Sequence, residues 1–390
     1  MKCCGPYAVW VDITHRIAGV LHRIVPLSMA VLALVMAAGC GGQSSSVSPN
    51  PQPSQSWPSS PSPPSSPNSA AGPNQAPPPC TRTISQANQV PAALDTASPG
   101  TMLCFTGGDL SGTDVTMTRS GAPNTPITLR SDGAAVRSIH ITADHIVIDG
   151  FTVVGGDGVF LNGDDLAIRH NTVHDTQRGG ITCERCQNSI IDSNTVQHVD
   201  TIGIWIDGQR IAVSHNKVSD TLARDNGDAD GMRFFGTGHR ITENAVTDIS
   251  DHGYANPPHP DCFQTYDDNS PPTFDVLIAG NTCRNVGAQC LIATGDQRRN
   301  SGAPAEVRSI TFVDNTCATN GAQAVNLRRW PNVEIRDNRI SGPNVARGII
   351  IIDDSTGCVV IGNSTDGGRP TLDIDNSSKP GSHVDRNSPG

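Results

Sequence analysis

The chain has 390 residues, 36% hydrophobic but only 4% aromatic, with 27 Lys and Arg against 37 Asp and Glu and a net charge of −10. Beyond Lys2, lysine occurs only at Lys217 and Lys379, so the basic face that nucleic-acid binding needs is excluded. The length allows one large domain or two, and 39 glycines suit a chain of many tight turns.

The first segment is an address. Ile24 to Ala38 is a largely apolar run of 15 residues, preceded by Arg16 and Arg23 and followed by Gly39 and Cys40. A basic flank, a short apolar stretch and small residues before a cleavage point mark a secretory signal. The run is shorter than the roughly 20 residues of a membrane-spanning helix. Ala37-Ala38-Gly39-Cys40 resembles the bacterial lipobox, although that family prefers Leu where Ala37 stands. The resemblance implies that Cys40 becomes the lipidated first residue. Gly41 to Pro79 contains no Asp, Glu, Lys or Arg and is rich in Ser, Pro and Asn, a composition that cannot bury a core and reads as a tether. The expected plan is a signal over 1–39, a tether over 40–79, a folded domain over 80–364 and a flexible tail over 365–390. The protein is expected outside the cell, on the outer face of the membrane or secreted, touching the membrane through the lipid alone.

Beyond Cys80 one pattern recurs: alternating apolar residues, an Asn, a small residue, an apolar one. It places Asn171, Asn194, Asn216, Asn244, Asn281, Asn315, Asn338 and Asn363 in one register, with Gly150 in the preceding unit. A second short strand follows each, opening at Gly158, Gly180, Gly203, Gly231, Asp261, Gln289, Ala324 and Gly348. Period-two alternation means strands. Units of about 22 residues cannot enclose their own core and must stack on neighbours. Stacking aligns the Asn side chains in a ladder, each amide bonding the next.

This repeat, with the opening strings Ser98 to Gly112 and Ser120 to Ser131, resembles the pectate-lyase-like superfamily of right-handed parallel β-helices. The resemblance implies an all-β fold, a single right-handed parallel β-helix of about ten coils, with a short N-terminal helical cap read at Thr83 to Ala97. A monomer is expected. The Leu-rich signature of the other repeat of this length is missing.

Nine cysteines lie beyond Cys40, and an exported domain favours disulfides. Cys262 and Cys290 fall in one inward row, and Cys283 and Cys317 in another. Adjacent coils are about 4.8 Å apart, within the reach of a disulfide, so the pairs Cys262–Cys290 and Cys283–Cys317 are predicted. Cys80–Cys104 would tie the cap to the first coil. Cys183 and Cys186 form a Cys-x-x-Cys, and Cys358 has no evident partner.

Successive ladder gaps are 23, 22, 28, 37, 34, 23 and 25 residues, so three consecutive coils carry the excess. The insertions fall on both sides of the second strands, raising two walls over a patch of sheet, and such insertions mark a binding face. The outward row of the floor reads Phe160, Thr182, Trp205, Arg233, Phe263, Leu291, Asn326, Ile350, and the next includes Thr265 and Arg328. Trp205, Phe263, Tyr254 and Arg328 are the predicted substrate contacts. One wall brings Asp225, Asp228 and Asp230; the other brings Asp251, His252, Tyr254, His259 and Asp261. Asp261 stands where other coils open with Gly, a broken local rule inside the lengthened region.

Asp261, His259, Arg233 and Asp230 are therefore the candidate catalytic set. Two carboxylates can act as acid and base, or as acid and nucleophile, on a glycosidic bond. Alternatively Asp228, Asp230 and Asp261 would ligate Ca²⁺, the one cofactor considered, with Arg233 or His259 as base of an elimination. Pro258 to Asp261 is loosely similar to the Asp-Pro-His motif of mannuronan epimerases, without its leading Asp. The expected partner is a polysaccharide or cell-wall glycan, met by a lyase or a glycoside hydrolase. The competing expectation is a non-catalytic glycan-binding or structural surface protein.

Overall fold

The computed structural model describes residues 79–389 except 108–109, 225–226, 268–270, 298–299 and 301. The apolar run, Cys40 and the tether up to residue 78 lie outside the described residues, as does Asp225.

The chain winds into a parallel β-helix of about 12 turns, two more than expected. One sheet stacks 13 strands, from Arg82–Ile84 to His383–Asp385. A second sheet of 20 strands runs as two stacks. They join at Thr152–Leu161, whose first part pairs with Thr172–His174 and whose second part pairs with Ile181–Gln187. Each full coil thus contributes three strands around one interior. Inward residues are Val, Ile, Leu and Phe at near-zero exposure, each such burial contributing roughly 1.5–3 kcal/mol. The first opening is closed by a 3-10 turn, Ala87–Gln89, and a helix, Val90–Asp95, which buries Val90, Ala93 and Leu94. A disulfide joins Cys80 to Cys104.

The asparagine ladder forms as a continuous row. The backbone N–H and Nδ2 of Asn171 both donate to Oδ1 of Asn194 at 3.0 Å, and the same pair of bonds repeats coil by coil to Asn363. Each Nδ2 also donates to a main-chain carbonyl, such as Val213 O for Asn244. The residue before the ladder Asn takes the left-handed conformation, with His170, Ser193, His215 and Glu243 at φ between 53° and 57°. An asparagine can satisfy the turn's backbone and its neighbour's amide at once, because it both donates and accepts.

The ladder outruns the eight residues read from sequence. Asn363 donates to Oδ1 of Asn387, and residues expected to form a loose tail make strands Leu372–Ile374, His383–Asp385 and Ser388–Pro389. Their alternation is too short and polar to be recognised alone; pairing with the coil beneath defines them.

Two further expectations are corrected. Phe263 pairs in register with Met232, and Arg233 with Gln264. Phe263, Leu291 and Thr265 therefore point inward and are buried completely, while Gln264, Ile292 and Tyr266 take the outward places. A slip of one residue exchanges the faces of a strand, and the insertion before Asp261 concealed the phase. The cysteines stand in the two predicted rows, but the bond crosses between rows: Cys262 is joined to Cys283, with Cys290 and Cys317 left as buried thiols. A third bridge joins Cys183 to Cys186.

Candidate active site

Register places Asp261 beside Asp230, with Cys262 in the glycine position beside Gly231. Asp261 is thus no replacement for the opening Gly; it continues a row begun by Asp230. Both carboxylates are buried completely. Oδ1 of Asp230 accepts the Asp261 N–H at 2.9 Å, and Oδ1 of Asp261 accepts the Gln289 N–H at 2.7 Å.

The outer oxygens hold two cationic side chains at the floor. Arg233, beside Trp205 in register, donates Nε to Asp230 at 2.5 Å and Nη2 to Asp228 at 2.6 Å. Its guanidinium lies over Tyr266, 5.9 Å from the ring centre. His259 presents Nδ1 to Asp261 Oδ2 at 2.9 Å, and its N–H donates to Asp228 Oδ1 at 3.1 Å. Gln264 Nε2 reaches the same Asp261 oxygen at 3.3 Å. Two groups of this cluster reach solvent appreciably: His259, with 54% of its side chain exposed, and Asp228, with 29%. Asp230 and Asp261 form a buried layer that positions them.

Electrostatics follow from that layering. Burial pushes the Asp230 carboxyl well up, against the pull of Arg233 and with the help of Asp228 and Asp261. Burial also raises Asp261, although His259 opposes it. For His259 burial acts downward, but the bond to Asp261 and the charges of Asp261, Asp228 and Asp230 outweigh it, pushing the imidazole up to about 9. His259 is therefore protonated at neutral pH, a proton donor rather than a base. Arg233 is raised further still, burial being overcome by Asp230 and Asp228.

Asp228, Asp230 and Asp261, the residues read as a Ca²⁺ set, lie together. Every carboxylate oxygen of Asp228, Asp230 and Asp261 accepts a hydrogen bond. Among the described residues no group of three or more His, Cys, Asp or Glu is arranged to hold an ion.

The other predicted contacts separate. Trp205 is half-buried on the floor and packs on Phe235, ring centres 5.2 Å apart; Phe235 meets Tyr266 at 5.0 Å. This run of three aromatic rings was only partly read from sequence. The outward alternation in Gly231-Met232-Arg233-Phe234-Phe235 carried the signal for Phe235, whereas Tyr266 needed the corrected register. Tyr254 accepts the Ala223 N–H on its hydroxyl at 3.2 Å and packs on the core, bracing one loop against the next. Arg328 lies further along the floor, paired with Asp353 at 3.0 Å and Asp296 at 3.5 Å. His252 pairs with its neighbour Asp251 at 3.3 Å and takes no part in the cluster.

Fold and site together define a parallel β-helix carrying an acid-and-cation cluster on an aromatic floor between lengthened loops. Residues 128–256 match the family model described as "Right handed beta helix region". No curated protein matches the chain. Among solved structures it is similar to the tailspike protein of E. coli bacteriophage HK620 in complex with a pentasaccharide. The TM-score is 0.52 at 11% identity, over 79% of this chain and 63% of that one. It is also similar to the catalytic unit of a thermostable GH87 alpha-1,3-glucanase from Streptomyces thermodiastaticus strain HF3-3, with a TM-score of 0.50 at 14% identity, over 78% and 66%. The chain thus spans just under two thirds of either relative, and at these identities the likeness is one of fold.

Proposed function

We propose that this protein acts on an extended polysaccharide lying along the Trp205–Arg233–Gln264 floor, and that it hydrolyses the glycan. The observation that carries the reading is the exposed pair, protonated His259 beside the carboxylate of Asp228, each held by a buried aspartate or arginine. His259 would donate a proton to the departing glycosidic oxygen. Asp228 would activate water or attack the sugar from the other side. The acids around His259 and Arg233 favour their protonated forms, which suits a proton donor better than the base of an elimination. The two similar structures, one bearing a pentasaccharide and one named a glucanase, support a glycan as the ligand class.

A polysaccharide panel with the full chain, read for reducing ends and for unsaturated products together, tests this. Reducing ends that vanish in Asp228→Asn and His259→Gln support hydrolysis. Unsaturated products would instead establish a lyase, and retained binding without turnover in the wild type would establish a binding protein.

We also propose export with lipid attachment at Cys40. Incorporation of labelled fatty acid into the wild type and its loss in Cys40→Ala would support attachment; equal labelling would refute it.

A further inference from the structure

Each coil has one narrow corner. There the residue opening the second strand faces the residue two beyond the next ladder Asn. In four coils the first is glycine, and a Cβ built on it would meet the facing side chain at impossible range. The distances are 2.3 Å from Gly180 to Val196 Cγ1, 2.3 Å from Gly203 to Val218 Cγ1, 2.5 Å from Gly231 to Val246 Cγ1 and 2.2 Å from Gly348 to Thr365 Oγ1. The corner holds one branched side chain and leaves room for little more than a methyl group opposite it. Cys262 and Cys283 occupy both places of one corner and are joined, their Cα atoms 6.0 Å apart.

Cys290 and Cys317 occupy both places of the next corner. Cys283 and Cys317 are register partners. Phe263 pairs with Leu291, and the Cys262 N–H donates to Gln289 O, which sets Cys262 beside Cys290. One coil further, Ala324 faces Ile340 and the small-against-large rule returns. We propose that Cys290 and Cys317 form a second corner disulfide in the oxidised protein, stacked directly on Cys262–Cys283. The bridge is independent of the glycan reading.

The two thiols are fully buried and hydrogen-bonded to one another; burial first, then Cys317, hold the Cys290 thiol well above its ordinary value. They are therefore poor nucleophiles once packed, and the bond forms while these coils assemble. The oxidant is a disulfide donor of the exporting compartment, a small-molecule or protein disulfide. One cysteine thiolate attacks a donor sulfur and releases a donor thiolate. The second then attacks the mixed disulfide and releases the other. Both cysteine protons end on the two donor thiols, and the two electrons lost by the cysteines reduce the donor.

The test is full chain refolded with a disulfide donor, unfolded without reductant, alkylated and cleaved with trypsin. Cleavage at Arg284 and Arg308 puts Cys290 and Cys317 on separate peptides. The expected result is that these peptides run as one linked species that splits on reduction, while Cys358, buried with no bridge, carries the label. In Cys290→Ala, where alanine suits the corner as Ala324 does, Cys317 should become labelled. Label on both Cys290 and Cys317 in the wild type, or linkage of Cys262 to Cys290, overturns the proposal.

Discussion

The asparagine ladder and the aspartate row solve the same steric problem with opposite consequences. Both place a side-chain oxygen on a backbone N–H one coil away. Asparagine is neutral and carries its own donor, so the ladder closes on itself and needs nothing else. Aspartate only accepts, so Asp230 and Asp261 leave outer oxygens that must be met by Arg233 and His259. A buried carboxylate row therefore brings cations to the surface directly above it. The comparison teaches that a stacked row of amides serves as scaffolding, whereas a stacked row of carboxylates makes a charged site.

The largest expected effect separates surface from support. Asp228→Asn and His259→Gln should each lower turnover by about 10²-fold or more, measured per folded molecule by kinetics with thermal unfolding to report the smaller stability loss from the broken ion pairs. Next comes the buried pair. Arg233→Met leaves Asp230 without its counter-ion and should cost about 3–5 kcal/mol in urea unfolding. Adding Asp230→Asn should return much of that loss, because the row then resembles the ladder; failure to recover would erase the comparison. Within the ladder, Asn244→Leu strands the donors of Asn216 and removes the donor to the Val213 carbonyl, while Asn281 keeps the bond from the backbone N–H of residue 244. It should cost about 2–4 kcal/mol, with activity per folded molecule retained.

The smallest effect is in pH. His259 is pushed up to about 9 in the fold from an ordinary 6.5. Its contribution to stability is complete below pH 6.5 and is lost as pH rises toward 9, and the donor limb of activity should fall over the same range. Asp261→Asn removes the charge responsible, so the limb should shift down toward 6.5 in a pH–rate profile. An unmoved limb would mean that another group donates the proton.

Much was legible in one dimension. The ladder residues, the two strands of each unit, the lengthened coils and the cluster Asp228, Asp230, Arg233, His259 and Asp261 all follow from period-two alternation and the spacing of asparagines, because a solenoid maps sequence period directly onto height. What eluded the reading lies where that map breaks. The insertion before Asp261 removed the count that keeps inward and outward apart, so Phe263 was exchanged for Gln264 and the Asp230–Asp261 row was missed. The disulfide was misassigned for a related reason: spacing places cysteines in rows, but which sulfurs touch depends on the width of a corner.

The sequence alone determined the repeat, the ladder and where the coil is lengthened, since these depend on local alternation repeated many times. Tertiary structure decided which carboxylates are buried, that His259 carries a proton, and which cysteines face each other. Those properties arise from desolvation and from distances across the coil between residues far apart in sequence, such as Asp230 and Asp261, separated by 31 positions, or Cys262 and Cys283, separated by 21.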